Sequence, residues 1–351
     1  MNLYLLLGSL LVTVGLIWYT SLRGLEIEKM KAIRVQKFGG PDVLQLADVE
    51  EPKPGPGQAR VKIHAAGLNF IDIYQRRGDY PVQLPWTPGL EGAGVVDAVG
   101  DGVTSVKPGD RVAYTSQPGS YAEATLTKAD MLVQIPPEVS FEEGAAFPLQ
   151  GMTAHYLLHE FRPIKPGDVV LIHAAAGGMG LLLVQWAKHM GAKVIGTTSS
   201  EEKARIATES GADHVILYTK QDFVTEVKKL TADEGAQLII DGVGKTTFTK
   251  NLDAAALRGT VVIYGSASGP AEPIAPNLLQ KRSLTVCGGS LFNYLLNREE
   301  LLRRSGDVLK GLREGWLKFR IDQVLPLAEA GKAQTILESR QSIGKLLLKT
   351  S

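Results

Sequence analysis

The sequence predicts an α/β protein in two parts: a doubly wound parallel sheet, and a β-rich domain to which the end of the chain returns. Three observations carry that prediction. A glycine-rich loop, Ile172-His173-Ala174-Ala175-Ala176-Gly177-Gly178-Met179-Gly180, stands between an apolar β-type run, Val169-Val170-Leu171, and a helical stretch ending near Met190. Strand-like and helix-like segments alternate after it, which is the order of a parallel sheet with crossover helices. Before it, from Met30, short β-type runs are punctuated by Pro52, Pro54, Pro56 and many glycines, the spacing of a small barrel-like domain.

The first 29 residues stand apart. No charge precedes Arg23, and Leu3 to Tyr19 is nearly continuous apolar sequence. As a helix rising about 1.5 Å per residue it just spans a bilayer core, with Trp18 and Tyr19 at the interface. A secretory signal fits poorly, because a basic leading region and a small-x-small cleavage site are both missing before Arg23. Arg23, Lys29 and Lys31 follow the span, so an anchor would keep the main body cytosolic. The other reading is an extension absent from the working protein, since Met30 begins a plausible chain of its own.

From Met30, Lys31 to Val35, Ala59 to His64 and Gly94 to Val99 read as strands, while Pro108-Gly109-Asp110 and Pro166-Gly167-Asp168 read as turns that open strands. The composition changes near Gly151, which divides a first part, 30–150, from a nucleotide-binding part, 151–296. Within the latter, Lys193 to Thr197 is a second strand, Glu201 to Ser210 a helix and His214 to Leu217 a third strand. Gln237 to Asp241 and Thr260 to Tyr264 continue the series. Residues 297–351 contain helix-forming sequence around Arg298 to Leu312 and Leu327 to Leu337, then a strand at Lys345 to Leu348. These are expected to rejoin the first part.

A loop of this composition, placed between a strand and a helix, brings backbone N–H groups against a diphosphate, so the chain is expected to bind a dinucleotide. The end of the second strand indicates which one. NAD sites usually carry Asp or Glu there for the ribose hydroxyls. This chain has Thr197-Thr198-Ser199-Ser200, with Lys203 one turn later, a set that accepts a 2′-phosphate a carboxylate would repel. NADPH is therefore expected over NADH, although Ser200 also reads as a simple helix N-cap ahead of Glu201 and Glu202.

Composition sets further limits. A chain of 351 residues with 44% hydrophobic content accommodates two domains, and its formal net charge of +1 with no dense basic run recommends no nucleic-acid partner. The single cysteine, Cys287, excludes an intramolecular disulfide and a cysteine-rich zinc lobe. His155 and His159 lie at i, i+4 on a predicted helix, a spacing that can pair on a metal, but the sequence offers no third ligand. His64, His173, His189 and His214 form no ligand cluster.

Taken in order, Gly67-Leu68-Asn69-Phe70-Ile71-Asp72, Gly89-Leu90-Glu91-Gly92-Ala93-Gly94, Pro108 to Val112, Ala174 to Gly180 and Ile336-Leu337-Glu338-Ser339-Arg340 resemble the quinone oxidoreductase, zeta-crystallin-like branch of the medium-chain dehydrogenase/reductase superfamily. The resemblance runs from Met30 to the C-terminus. It implies a GroES-like catalytic domain with an inserted Rossmann domain, NADPH as cofactor, and commonly a homodimer joined through the inserted domain, with 260–286 as the seam. Zinc-dependent members of the superfamily have Cys and His where this chain has Asn69 and Phe70, and His where it has Leu90. The expected reaction is thus a metal-independent hydride transfer to an electrophilic acceptor, in which positioning supplies most of the catalysis.

The resemblance places Asn69, Asp72 and Tyr74 beside the nicotinamide, with Tyr74 able to donate to a carbonyl oxygen; its other reading is a packed aromatic in the cleft wall. It places Thr153, Gly177, Gly178, Met179, Gly180, Thr197, Ser199, Ser200, Lys203 and Tyr218 on the cofactor. Gly265, Ser266, Ser268, Leu291, Phe292, Tyr294 and Arg340 complete that set. A quinone is the expected acceptor. An α,β-unsaturated carbonyl or enoyl thioester fits the same chemistry, and a non-catalytic NADPH- or RNA-binding protein is the alternative of another class.

Overall fold

The computed structural model describes residues 28–350. Residues 3–19, read above as anchor or extension, lie outside that range; among the described residues no helix is long and apolar enough to cross a membrane.

The parallel sheet has six strands in the order His214–Leu217, Lys193–Thr198, Val169–Ile172, Ala236–Asp241, Ala255–Ile263, Thr285–Gly288. Every pairing in it is parallel. Its central strands are apolar at successive positions because both faces are covered. Val170, Ile172, Leu238 and Ile240 enter one core, under the helices Pro148–His159 and Gly178–His189, while Leu171 and Ile239 enter the other, with Phe223, Val227 and Leu252. Each such side chain contributes about 1.5–3 kcal/mol by leaving water.

The second sheet has seven strands. Ile321–Pro326, Lys345–Lys349, Gln58–Gly67, Glu91–Val99, Arg111–Thr115 and Val133–Gln134 follow in order, with Ala124–Lys128 also paired to Gln58–Gly67. Along Gln58–Gly67, Ala59, Val61 and Ile63 are buried while Lys62 and His64 are exposed, the period of a strand with one wet face. The final strand pairs antiparallel with it, Leu348 opposite Ala66, so the chain end does rejoin the first part. Lys29–Arg34 joins Gln45–Glu50 in a separate two-stranded sheet.

Two features depart from the sequence reading. The composition break near Gly151 falls inside the helix Pro148–His159. Gly151 is there because the helix Arg298–Glu314 packs closely, and a Cβ would stand 2.9 Å from Val308. The strand Ile321–Pro326 was not expected, since half of it is exposed and its edge position leaves little apolar alternation.

Candidate functional site

The glycine loop turns the chain from Val169–Ile172 into the helix Gly178–His189, with Gly177 as an extended N-cap (φ −76°, ψ 167°). The turn is tight. A Cβ at Gly180 would overlap the Ala174 carbonyl oxygen, and one at Gly178 would meet Gln150 Oε1 at 2.5 Å. The first N–H groups of this helix lack intrahelical acceptors and carry the positive end of its dipole, which suits an anion.

These groups line a cleft of about 1030 Å³ that opens where the strand order reverses, between Val169–Ile172 and Ala236–Asp241. Asn69, Tyr74 and Leu149 bound one end. Thr153 and residues 177–180 occupy the middle, and Gly265, Leu291 and Phe292 form a facing wall. Thr197, Ser199, Lys203, Tyr218 and Arg340 gather at the other end.

At that other end two cations converge. Lys203 Nζ donates to the Arg340 carbonyl at 2.7 Å, and Arg340 Nη2 donates to the Ala267 carbonyl at 3.0 Å. Arg340 follows the helix Ala330–Glu338 with φ +59°, and Arg76 holds that helix end through Glu338 at 2.7 Å. Burial lowers the Lys203 pKa against the opposing charges of Asp322 and Glu202, with the Arg340 charge adding to the lowering. Glu201 is turned to Lys220 at 2.8 Å, so it is neutralised by a partner of its own.

The opposite end rests on a buried polar floor. The helix Phe70–Arg77 begins there, capped where Asp72 Oδ2 accepts from the Asn69 N–H at 2.9 Å and from the Tyr121 hydroxyl at 3.0 Å. Burial pushes the Asp72 carboxyl up to about 7 against those hydrogen bonds and the Lys345 charge. Glu91 and Lys345 form an ion pair beneath Asn69. Burial also raises the pKa of the Tyr74 hydroxyl, opposed by the nearby Ser266.

Five residues of the expected set do not line the cleft. Asp72 is fully buried under Asn69, where it acts as helix cap. Ser200 accepts from the Lys203 N–H at 3.3 Å as the N-cap of Glu201–Glu209. Ser266 meets Tyr74, and Ser268 is spent on its own turn, donating to the Val243 carbonyl at 2.8 Å. Tyr294 stacks on Tyr156 (4.4 Å, 8°) with Phe161 and Arg304 around it, a packing position. His155 and His159 are also committed elsewhere: His155 Nδ1 accepts from Arg304 at 2.9 Å, its Nε2 meets Asp307 at 2.8 Å, and His159 Nδ1 meets the His155 carbonyl. Among the described residues no cluster of His, Cys, Asp and Glu is arranged to hold a metal ion.

The cleft contains residues the sequence did not single out. Gln150 and Tyr156 come from the helix Pro148–His159, and Phe223, Thr247 and Lys250 also line it. Lys345 lies on the floor. Nothing in the run Ile343-Gly344-Lys345-Leu346 marks it; only strand pairing brings it to Asn69 and Glu91.

Residues 55–137 match the family model of the alcohol dehydrogenase GroES-like domain, and residues 178–304 match that of zinc-binding dehydrogenases. The chain is 41% identical over 321 residues to a quinone oxidoreductase of Pseudomonas aeruginosa, covering 91% of this chain and 99% of that protein. It is 41% identical over 323 residues to a 2-haloacrylate reductase of a Burkholderia species, covering 90% and 97%. The crystal structure of Escherichia coli quinone oxidoreductase complexed with NADPH superposes with a TM-score of 0.89 at 39% identity, over 91% of this chain and 99% of that one.

Proposed function

The chain belongs to the quinone oxidoreductase branch of the medium-chain dehydrogenase/reductase superfamily, and from that premise we propose that it binds NADPH and reduces a quinone by hydride transfer. One observation supports this most: a single cleft is lined by a helix start suited to an anion, by the cations Lys203 and Arg340, and by the polar side chains of Asn69 and Tyr74. The cradle at Gly177–Gly180, which one added Cβ would fill, fits a diphosphate. Lys203 and Arg340, with Ser199 beside them, fit a 2′-phosphate. Bound NADPH would supply the hydride.

The chain's own residues would do the rest. Asn69 and Tyr74 would face the acceptor carbonyl, and Phe292 and Leu291 would exclude water from the opposite side. At the positions where zinc-dependent relatives carry ligands, Asn69, Phe70 and Leu90 offer no metal donor set. Reduction of an activated double bond is the second reading, and the 2-haloacrylate reductase among the relatives favours it. NADPH oxidation followed by absorbance, with quinones and enones as acceptors and NADH as control, tests both. A quinone rate at least tenfold above the enone rate, unchanged by a chelator, is expected; no turnover with any acceptor would end the proposal.

The outer edge of Thr285–Gly288 pairs with no strand among the described residues, and Leu257 and Leu278 stand exposed. This favours a homodimer along that edge, to be read by light scattering. Membrane anchoring through residues 3–19 rests on their sequence alone. The intact mass of the natural protein tests it, since a chain beginning at Met30 removes the segment.

A further inference from the structure

Asn69 is 5% exposed and sits between two side chains that leave its carboxamide one orientation. Its Oδ1 accepts from Lys345 Nζ at 2.9 Å, and more weakly from Gln150 Nε2 at 3.4 Å. Its Nδ2 donates to Glu91 Oε1 at 2.6 Å. An ammonium has only donors and an ionised carboxylate only acceptors, so a flipped amide would face N–H against N–H and oxygen against oxygen. Lys345 and Glu91 are themselves paired and almost wholly buried, at 2% and 0% exposure, and Glu91 Oε2 is fixed by the Leu149 N–H at 2.8 Å. The three groups therefore form a closed set with no slack.

One donor is left over. A carboxamide has two N–H bonds, and Glu91 takes one. The second has no protein acceptor among the described residues, on a side chain that lines the cleft beside Tyr74. Resting on the proposed reaction, we propose that Lys345 and Glu91 are positioning residues. They lock Asn69 so that its remaining N–H donates to the carbonyl oxygen of the acceptor. When hydride adds, its electron pair moves through the conjugated system onto that oxygen. The oxyanion is held by the Asn69 N–H until it takes a proton from water, while the coenzyme leaves as NADP⁺. The ammonium, one carboxamide away, polarises Asn69 and strengthens that donor.

The test compares Lys345→Met, Lys345→Arg and the double variant Lys345→Met/Glu91→Gln with the natural protein, using NADPH and a quinone. Lys345→Met is expected to lower kcat at least thirtyfold while the NADPH Kd, read by fluorescence, stays within threefold. Its kcat should gain a second pH step beyond any that the buried Asp72 gives the natural protein, because Glu91 is left unpaired and takes up a proton. The double variant should lose that step without recovering the rate. Lys345→Arg, which keeps the charge and the donors, should recover most of it, and serves alone if the methionine variant does not fold. Unchanged kcat in Lys345→Met, or parallel losses of kcat and NADPH affinity with no new pH step, would overturn the proposal. If the natural protein oxidises no NADPH, the functional reading fails separately. The locked amide is then read from calorimetry of cyclohexanone binding to the NADP⁺ complex, which Lys345→Met should weaken at least tenfold; equal binding would overturn it.

Discussion

The Thr197 hydroxyl lies 3.0 Å from His173 Nδ1, and the proton between them belongs to the threonine. The assignment starts two residues away. Asn251 Nδ2 donates to Asp241 at 2.7 Å, so Asn251 Oδ1 must accept from His173 Nε2, also at 2.7 Å. Burial lowers the His173 pKa, and a neutral ring with its proton on Nε2 can only accept at Nδ1. His173→Phe leaves the Thr197 hydroxyl and Asn251 Oδ1, both on buried residues, without the ring nitrogens they meet. The expected loss of stability is about 1–3 kcal/mol in urea denaturation at pH 7. An unshifted midpoint would contradict the network.

Lys203→Ala should weaken NADPH roughly 10- to 100-fold, because a hydrogen bond to a charged group contributes about 1.5–3 kcal/mol. NADH binding should change little. Fluorescence titration with both coenzymes decides the matter, and equal losses would remove Lys203 from the phosphate.

Gly180→Ala places a methyl group on the Ala174 carbonyl oxygen. The loop must open to admit it, and the helix-start N–H groups move with the loop. Calorimetry should show coenzyme affinity reduced at least tenfold, while circular dichroism retains the native helix signal. A variant that binds as the natural protein does would show that the tight turn is not needed for the coenzyme.

His155 gives the fold an acid-sensitive point. Burial, helped by His159 and by Arg304, which Glu160 holds at 2.7 Å, pushes its pKa down to about 4 against the pull of Asp307. Between the ordinary value of 6.5 and about 4 the unfolded chain takes a proton that the folded chain refuses. Stability from this group is thus complete above about 6.5 and declines as pH falls toward about 4. In urea denaturation across that window the natural protein should lose stability more steeply than His155→Gln. Parallel curves would show that the imidazole does not titrate this way.

Much of the architecture was legible because it is written in local pattern. The glycine loop, the alternation around it and the buried strand Ala236–Asp241 follow from periodicity and turn chemistry. The hydroxyls and Lys203, proposed to hold the phosphate, stand close together in sequence at the second strand's end, whereas Arg340 joins them from the far end of the chain. The polar floor around Asn69 was legible only in part. Asn69, Glu91 and Lys345 come from a helix cap and two strands, and Lys345 carries no signal until antiparallel pairing sets it under Asn69. Tyr294, an aromatic in a run of cleft residues, is half-buried and stacked on Tyr156, because aromatic stacking competes with facing a ligand.

Lys345 reaches Asn69 across 276 residues of chain. During translation the coenzyme-binding half can leave the ribosome and fold while the last strand is still inside the exit tunnel. Until that distant strand docks, the Asn69 carboxamide has no ammonium to hold it, so on this proposal its orientation is a property of the assembled fold and not of the segment that carries it.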